Sequence, residues 1–473
     1  MESTRSRYGR LLLRDVAPAT RRTRRVALVG LLVVVAAACA GGAHHAEGGS
    51  GPTATHTTRP PDTSLGTGVT ATQIKIGVMM IDFACIQQFV DAVEPDLRQA
   101  YQIFIDDINE KGGINGRKIV PVYKSYCPPE LQPAEELTAC TSLTDDEKVF
   151  AAIGTLYDPN GTAQLCFAKQ HRAVVVGSPL TQSVIDRGPS GLMLTPDITP
   201  ERRLNVIMAL LEEKHTLEGK KVAIVDIAAD RPRVDSVVVP ALRDLGVQRG
   251  TDATLTIASA DTTAALGQLD SFIEHWKSEG TNALILVGEQ VGSKQFVEKI
   301  KAAVPDMALV SDTTSVLDGA RDEQKAHVSP NPYDGIITAE GQTGVEHTKT
   351  PHFAFCRDIW EKATGKKVPS PNEVVKLPNG KQNDIYSEVE DACLYTNFFA
   401  TIAKRVGPYL NDANWVNTVD NFGSIDDMST IYASIHRGKY DADNTYGLVA
   451  YDPTVGASGD WRHVTPVENV SGG

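Results

Sequence analysis

Apolar residues between positions 100 and 122 follow one period and then another. Tyr101, Phe104, Ile105 and Ile108 stand three, four and seven apart, which sets them on one face of a helix. Asp106, Asp107 and Glu110 fall on the opposite face. Gly112-Gly113 stops that helix, because glycine reaches positive φ without a steric penalty. Asn115-Gly116 makes a turn, and the short apolar run over 119–122 reads as a strand. Upstream, residues 74–80 (IKIGVMM) are a second strand-like run. Strand, helix, glycine turn and strand form a βαβ unit, which implies a parallel sheet.

The same alternation continues. Helical patterns over 130–143 and 161–171 lead into apolar runs over 149–154 and 173–177. Two prolines in LTPDITPE, 194–201, interrupt it. It restarts with helices over 202–214, 234–245, 263–278 and 293–303, and with strands over 221–226, 255–257, 283–287 and 307–310. Two long helices follow, over 351–364 and 386–406, separated by a polar loop at 365–384. A further helix is expected over 415–422. Regular β-α alternation of this kind predicts an α/β fold with parallel central sheets.

The wording of the first unit is more specific than its pattern. TATQIKIG at 70–77, followed by DINEKGGINGRK at 107–118, resembles the type I periplasmic solute-binding proteins. The branch most similar feeds ABC transporters for branched-chain amino acids. The resemblance covers about 69–464. It implies two Rossmann-like lobes joined by a three-segment hinge: residues 69–196 with 337–440 as lobe 1, and 197–336 with 441–466 as lobe 2.

The N-terminus stands outside that fold. Eight arginines between Arg5 and Arg25 precede an uncharged apolar run over 26–38, shorter than the ~20 residues that span a bilayer but suited to a signal peptide. The run ends Ala36-Ala37-Ala38-Cys39, which resembles a lipobox, so Cys39 is expected to carry a lipid anchor on the outer face of the cytoplasmic membrane. Residues 41–68, rich in Gly, Thr, Pro and His, read as a flexible tether. The whole chain carries −13; removing residues 1–38 leaves about −19, which disfavours nucleic acid and anionic membrane surfaces as partners.

Cysteines stand at 39, 85, 127, 140, 166, 356 and 393. Their spacing matches no zinc motif, and an exported chain with six left after Cys39 favours disulfides. On the topology that the resemblance implies, the pairs are Cys85–Cys127, Cys140–Cys166 and Cys356–Cys393.

No catalytic set emerges. The sequence has no Gly-x-Ser-x-Gly, His-Glu-x-x-His or P-loop, and no GxGxxG follows the first strand. His347 and His352 read as solvated loop residues. No cofactor, no metal and no enzymatic reaction is expected. The resemblance implies a monomeric receptor that closes over a small polar solute, an amino acid or a related compound, and docks on ABC permease subunits. A sensory binding protein for a signalling partner is the alternative, and an exported hydrolase a more distant one. Ligands of doubly wound sheets bind beyond the carboxyl ends of strands. That rule selects Asp82, Phe83, Thr155, Tyr157, Ser178 and Thr181 in lobe 1, and Asp230, Arg231, Glu289 and Asp312 in lobe 2. In amino-acid-binding relatives hydroxyls and helix N-terminal amides hold the ligand carboxylate, a role open to Thr155, Ser178 and Thr181. An acidic lobe 2 residue holds the ammonium, which falls to Glu289 or Asp312.

Overall fold

The computed structural model describes residues 62–471, apart from 88–91, 129–131, 133, 159, 257–261, 315, 372, 374, 427 and 457–458, and apart from the side chains of Glu289, Asp318, Asp322 and Lys325. The signal peptide, most of the tether and Cys39 therefore lie outside the described residues.

The first sheet is parallel. Its strands are β1 (Gln73–Ile81), β2 (Lys118–Tyr126), β3 (Ala151–Thr155), β4 (Val174–Ser178) and β5 (Met193–Leu194), in the order β2-β1-β3-β4-β5. Helix α1 (Leu97–Glu110) buries Leu97, Ala100, Tyr101, Phe104, Ile105 and Ile108 against it, the face expected from the apolar spacing. The phrase NEKGGINGRK then has a physical reason for its polar letters. Asn109 clamps the start of β2: its Nδ2 donates to the Ile119 carbonyl at 2.9 Å, and its Oδ1 accepts from the Ile119 amide at 2.7 Å. Gly113 sits at φ 70°, and a Cβ there would lie 2.0 Å from the Arg117 carbonyl oxygen, so no side chain fits. Asn115 donates to the carbonyls of Ala403 and Lys404. Buried Arg117 donates to the carbonyls of Thr70 at 2.6 Å and Pro408 at 2.8 Å. These contacts fasten the first βαβ unit to the distant helix over 385–406.

The chain then passes through Thr195–Thr199 into α2 (Pro200–Glu213) and the second sheet. Strands β6 (Lys221–Ile227), β7 (Ala253–Leu255), β8 (Ala283–Val287), β9 (Ala308–Ser311) and β10 (Ile337–Glu340) run parallel, while β11 (Thr445–Asp452) and β12 (Asp460–His463) add antiparallel to the β10 edge. Alternate residues feed two separate cores. Ala223, Val225, Leu284 and Leu286 enter one, and Val222, Ile224, Ala283 and Ile285 the other, as expected of strands covered by helices on both faces. Strand β10, which a lobe boundary at 336/337 assigns to the first lobe, pairs within the second sheet, so the chain leaves that sheet only after Glu340. Helices α3 (Pro351–Thr364) and α4 (Ile385–Val406) return to the first lobe, where α4 packs on α1. The loop at 365–384 holds two short strands that the sequence does not announce. One of them, Gln382–Asn383, pairs with Ala92–Val93.

Cystines join Cys85 to Cys127, Cys140 to Cys166 and Cys356 to Cys393, with Cα separations of 6.0, 6.4 and 5.8 Å. Cys140, Cys166, Cys356 and Cys393 are buried in the first core.

Three chain segments link the sheets, and they are tied to one another. The Thr195 amide donates to the Tyr440 carbonyl at 3.0 Å, and the Ala442 amide to the Thr195 carbonyl at 2.9 Å. Arg202, on the first turn of α2, pairs with Asp441 at 2.6 Å, and both are buried. The Asp441 carboxylate also accepts from the Thr199 amide at 3.0 Å, and Arg202 donates to the Asp443 carbonyl. Gly341 packs so tightly on the third segment that a Cβ would come within 2.3 Å of the Thr445 carbonyl oxygen. Removing one member of a buried pair leaves the other charge stranded, at about 3–5 kcal/mol. Asp441→Ala should therefore lower unfolding free energy by about that amount in denaturant titration. Asp244→Ala, which breaks the exposed Arg243–Asp244 contact, should change it by less than ~1 kcal/mol. Equal effects would contradict the assignment of the Arg202–Asp441 pair as a structural tie.

Candidate ligand-binding site

The strand ends do gather the residues that the topology rule selects, but most are already engaged. The Asp82 carboxylate accepts from the Ala84 amide at 2.9 Å and caps the short helix Phe83–Ile86, with Phe83 half-buried behind it. The Tyr126 hydroxyl donates to the Thr155 carbonyl at 2.9 Å and accepts from the Tyr157 amide at 3.0 Å, which fixes the turn after β3; the Tyr157 ring is exposed. Thr181 caps the helix Gln182–Ile185, accepting from the Val184 amide at 3.2 Å.

The amides at that helix start, expected to receive a ligand carboxylate, are taken. Glu201, from the first turn of α2, accepts from the Gln182 amide at 2.9 Å and lies 3.4 Å from that of Ser183. The protein supplies its own carboxylate there, and the contact bridges the first lobe to α2.

On the second sheet the basic residue that matters is Arg233, which the sequence reading passes over. It reaches Asp230 at 3.0 Å and Asp312 at 2.9 Å, and Asp312 also accepts from the Gly288 amide at 2.8 Å. Asp312 thus meets a guanidinium of the protein. Arg231 turns elsewhere, to Asp226, Asp235 and Asp252. Positions 231 and 233 lie on one short helix, Arg231–Arg233, and nothing in the sequence says which faces the strand ends. Glu289 opens the helix Glu289–Gly292; its side chain is outside the described set.

The largest concentration of chemistry sits where the first sheet meets the crossing segments. Ser178, at the end of β4, offers its hydroxyl to Asp197 and Tyr395. Asp197 lies on the first crossing. Facing it on α4 is Asp391, with Glu388 one turn up, Asp384 capping the helix two turns up, and Tyr395 one turn below. The Asp384 amide donates to the Val93 carbonyl at 3.0 Å, and Glu388 accepts from the Asp96 amide at 2.9 Å, which holds Glu94 against the same helix face. Burial first, and then Asp391, Asp384 and Glu388, push the Glu94 carboxyl well up. Burial first, and then Asp197 and Glu390, do the same to Asp391. Burial alone accounts for most of the rise at Glu388, to about 7. Asp197 is raised by burial and eased by Ser178 and Arg203. Arg203 closes the other side, 3.9 Å from Glu340 and 5.5 Å above the Tyr446 ring.

Sequence reasoning missed Glu94, Asp197, Arg203, Glu390 and Asp391. A signal existed: Asp384, Glu388, Asp391 and Tyr395 recur at helical spacing from the cap of the helix inward. His347 and His352 also need correction. His352 is buried at 6 % exposure, and both rings turn to Glu390, at 3.3 Å from His347 and 3.7 Å from His352. The helix N-terminus near them packs on Tyr386 and Phe353 rather than in water. His352 also lies beside Cys356, which is occupied by its disulfide. A cavity of about 380 Å³ opens behind the crossings, between Glu201, Asn205, His436 and Lys439. It is also lined by Gln182, at the helix start that Glu201 holds, and by Thr199 and Asp441 of the crossings.

A profile of the periplasmic binding protein family matches residues 74–374. Similar solved structures include a fatty acid ABC transporter substrate-binding protein from Thermomonospora curvata, 15% identical, with a TM-score of 0.60 over 87% of this chain and 96% of that one. An ABC transporter solute-binding protein from Rhodopseudomonas palustris BisB5, in complex with 3,4-dihydroxybenzoic acid, is 12% identical, with a TM-score of 0.59 over 84% and 98%. A leucine-binding protein from Thermotoga maritima MSB8 is 14% identical, with a TM-score of 0.56 over 84% and 99%. At these identities the likeness establishes the fold. No curated protein matches the sequence.

Asp443, on the third crossing, gives a pH test. Burial raises its carboxyl to about 7, against the Thr445 amide and the Tyr446 hydroxyl, which favour the charged form. Its folded value lies above the unfolded ~3.9, so the folded state holds the proton more tightly. Stability from this group is present at acid pH and is lost as pH rises through about 7. Asp443→Asn keeps the acceptor and removes the charge. It should stabilise the protein at pH 8 by ~2–4 kcal/mol, with the gain shrinking as pH falls below about 7 and vanishing only below the unfolded value of ~3.9. Thermal unfolding of both proteins across that range measures it, and a gain independent of pH would contradict the assignment.

Proposed function

The chain belongs to the periplasmic binding protein family, and from that footing we propose that it is the extracytoplasmic solute-binding receptor of an ABC importer. Two α/β lobes close over a small polar solute and present the closed form to permease subunits. The observation that carries this reading is the hinge: two parallel-sheet bodies linked by three crossings, with titratable side chains lining the strand ends beside them. Such a linkage permits rigid-body closure about a few residues, and a ligand drives closure by binding the closed state better. The relatives with leucine and dihydroxybenzoate support a small-molecule cargo. A branched-chain amino acid is one candidate among small polar solutes. The receptor reading assigns no reaction to the chain, in keeping with the solute-binding family it belongs to. Lipid on Cys39 would hold the monomer at the outer face of the cytoplasmic membrane, since the two chains of a diacylglyceryl group suffice where one does not. Among the described residues no helix is long and apolar enough to cross a membrane.

A thermal-shift screen of amino acids, amides, amines and aromatic acids tests the receptor reading. A true ligand at 100 times Kd should stabilise the protein by ~2.7 kcal/mol, and solution scattering with that ligand should show the molecule contract. A bound ligand that is chemically converted, or that leaves the scattering profile unchanged, would contradict it. Cys39→Ser should shift the protein from the membrane fraction to the soluble one; unchanged retention rules out the anchor.

A further inference from the structure

We propose that the cavity behind the crossings is a second ligand site, which takes a small compound with two or more anionic oxygen groups and ties the lobes at their joint. The site is separate from the cleft, and only the tie rests on the two-lobe reading.

The cavity has the size of a ligand site. Its volume of about 380 Å³ falls within the ~300–1,000 Å³ of small-molecule pockets. Its walls come from both bodies. Gln182 and Arg437 belong with the first, since Val184 and Ile185 beside one, and Ile435 and Tyr440 beside the other, enter the first core. Glu201, Arg202 and Asn205 lie on α2, whose Leu204 and Ile207 enter a core of the second sheet. Lys439 and Asp441, where the third crossing begins, close the space between them.

The buried part of the wall carries an excess of positive charge. Arg202 and Lys439 are both buried, and they share one carboxylate. That carboxylate, on Asp441, lies 2.6 Å from the Arg202 Nε and 3.4 Å from the Lys439 ammonium. Two desolvated cations on one anion favour a further negative group beside them. Burial pushes the Lys439 ammonium down to about 8; Asp441 opposes that fall and Arg202 adds to it.

The unspent hydrogen-bonding groups at the mouth suit an anion. Arg437 gives its Nε to Asp420 at 2.9 Å, and its two terminal amino groups make no hydrogen bond among the described residues. The exposed side chains of Asn205 and Ser471, which also line the cavity, make none either among the described residues. The two carboxylates are already met by amides. Glu201 accepts from Gln182 at 2.9 Å, and Asp441 from Thr199 at 3.0 Å. An anion therefore finds donors that are free, whereas a cation finds both carboxylates engaged.

An anion that reaches from Arg437 to Asn205 touches the first-lobe hairpin and α2 at once. Its contacts depend on the angle between the lobes, so its binding biases that angle. By linkage, the anion and a solute in the cleft then change each other's affinity by the same factor.

Calorimetric titration of the full chain with citrate and with pyrophosphate, against sodium chloride at matched ionic strength, tests the site. At least one of the two should bind and raise Tm more than chloride does. Citrate alone marks a polycarboxylate, pyrophosphate alone a phosphorylated compound, and both together a site for either. Arg437→Gln should weaken binding roughly tenfold or more, the usual worth of hydrogen bonds to a charged group. Asn205→Asp, on the opposite wall, should weaken it too, by setting a carboxylate against the ligand. Both positions are exposed, so Tm without ligand should move little. No binding, equal stabilisation by chloride, or binding that survives both substitutions would overturn the site. Hydrogen exchange reads the tie, because a bound anion should slow exchange of the Thr199 and Ala442 amides on the first and third crossings. Binding that leaves both amides unchanged would overturn the tie. Each of these outcomes leaves the receptor reading to its own solute screen.

Discussion

The buried pairing of Arg202 with Asp441 is the constraint on which the molecule's arrangement depends. It joins the first turn of the helix that follows the first crossing to the third crossing. Around it, Thr195 exchanges backbone bonds with Tyr440 and Ala442, and the Thr199 amide donates to the Asp441 carboxylate. A charge pair this dry tolerates little rearrangement, because each ion depends on the other to offset its desolvation. The crossings therefore move as a bundle, and motion between the lobes has to be taken up at their ends. The same geometry brings Asp197, Glu340 and Asp443 together from three distant parts of the chain, one per crossing. The hinge and the polar wall of the cleft are thus one structure, and charge placed in the cleft acts next to the joint.

Much of the fold is legible in the sequence because its signals are local. The spacing of Tyr101, Phe104, Ile105 and Ile108 gives α1, and the glycines after it give its end. Asn109, Gly113, Asn115 and Arg117 each answer to a contact within or beside one βαβ unit, so the phrase containing them carries the fold of that unit. The three cystines follow from neighbouring elements in an alternating topology, and the structure joins the same pairs. Small features with no period escaped. The two-residue strands at 375–376 and 382–383 lie in a polar loop, and β10 belongs to the second sheet although the expected boundary at 336/337 gives it to the first lobe.

The site was legible only as far as topology reaches. The strand-end rule selects loops, and of the residues it names Asp312 meets Arg233 and the Gly288 amide. It cannot say who their partners are. Glu201 reaching Gln182, and Arg233 rather than Arg231 meeting Asp312, depend on how short helices are rotated, a matter of a few degrees per residue that no residue pattern encodes. The carboxylates of α4 were hidden for a different reason. Acidic residues on a helix usually mark its solvated face, yet here Asp384, Glu388 and Asp391 share the inward face with Tyr395, and their partners come from Glu94 and from the first crossing. The histidines at 347 and 352 show the same failure in reverse, since polar neighbours in sequence concealed an apolar and acidic environment in space.

The central claim is that two α/β lobes joined by three tied crossings close over a small solute. Solution scattering with and without the ligand that gives the largest thermal shift tests it most directly. The account predicts that the molecule contracts on binding. A bound ligand that leaves the scattering profile unchanged would contradict it.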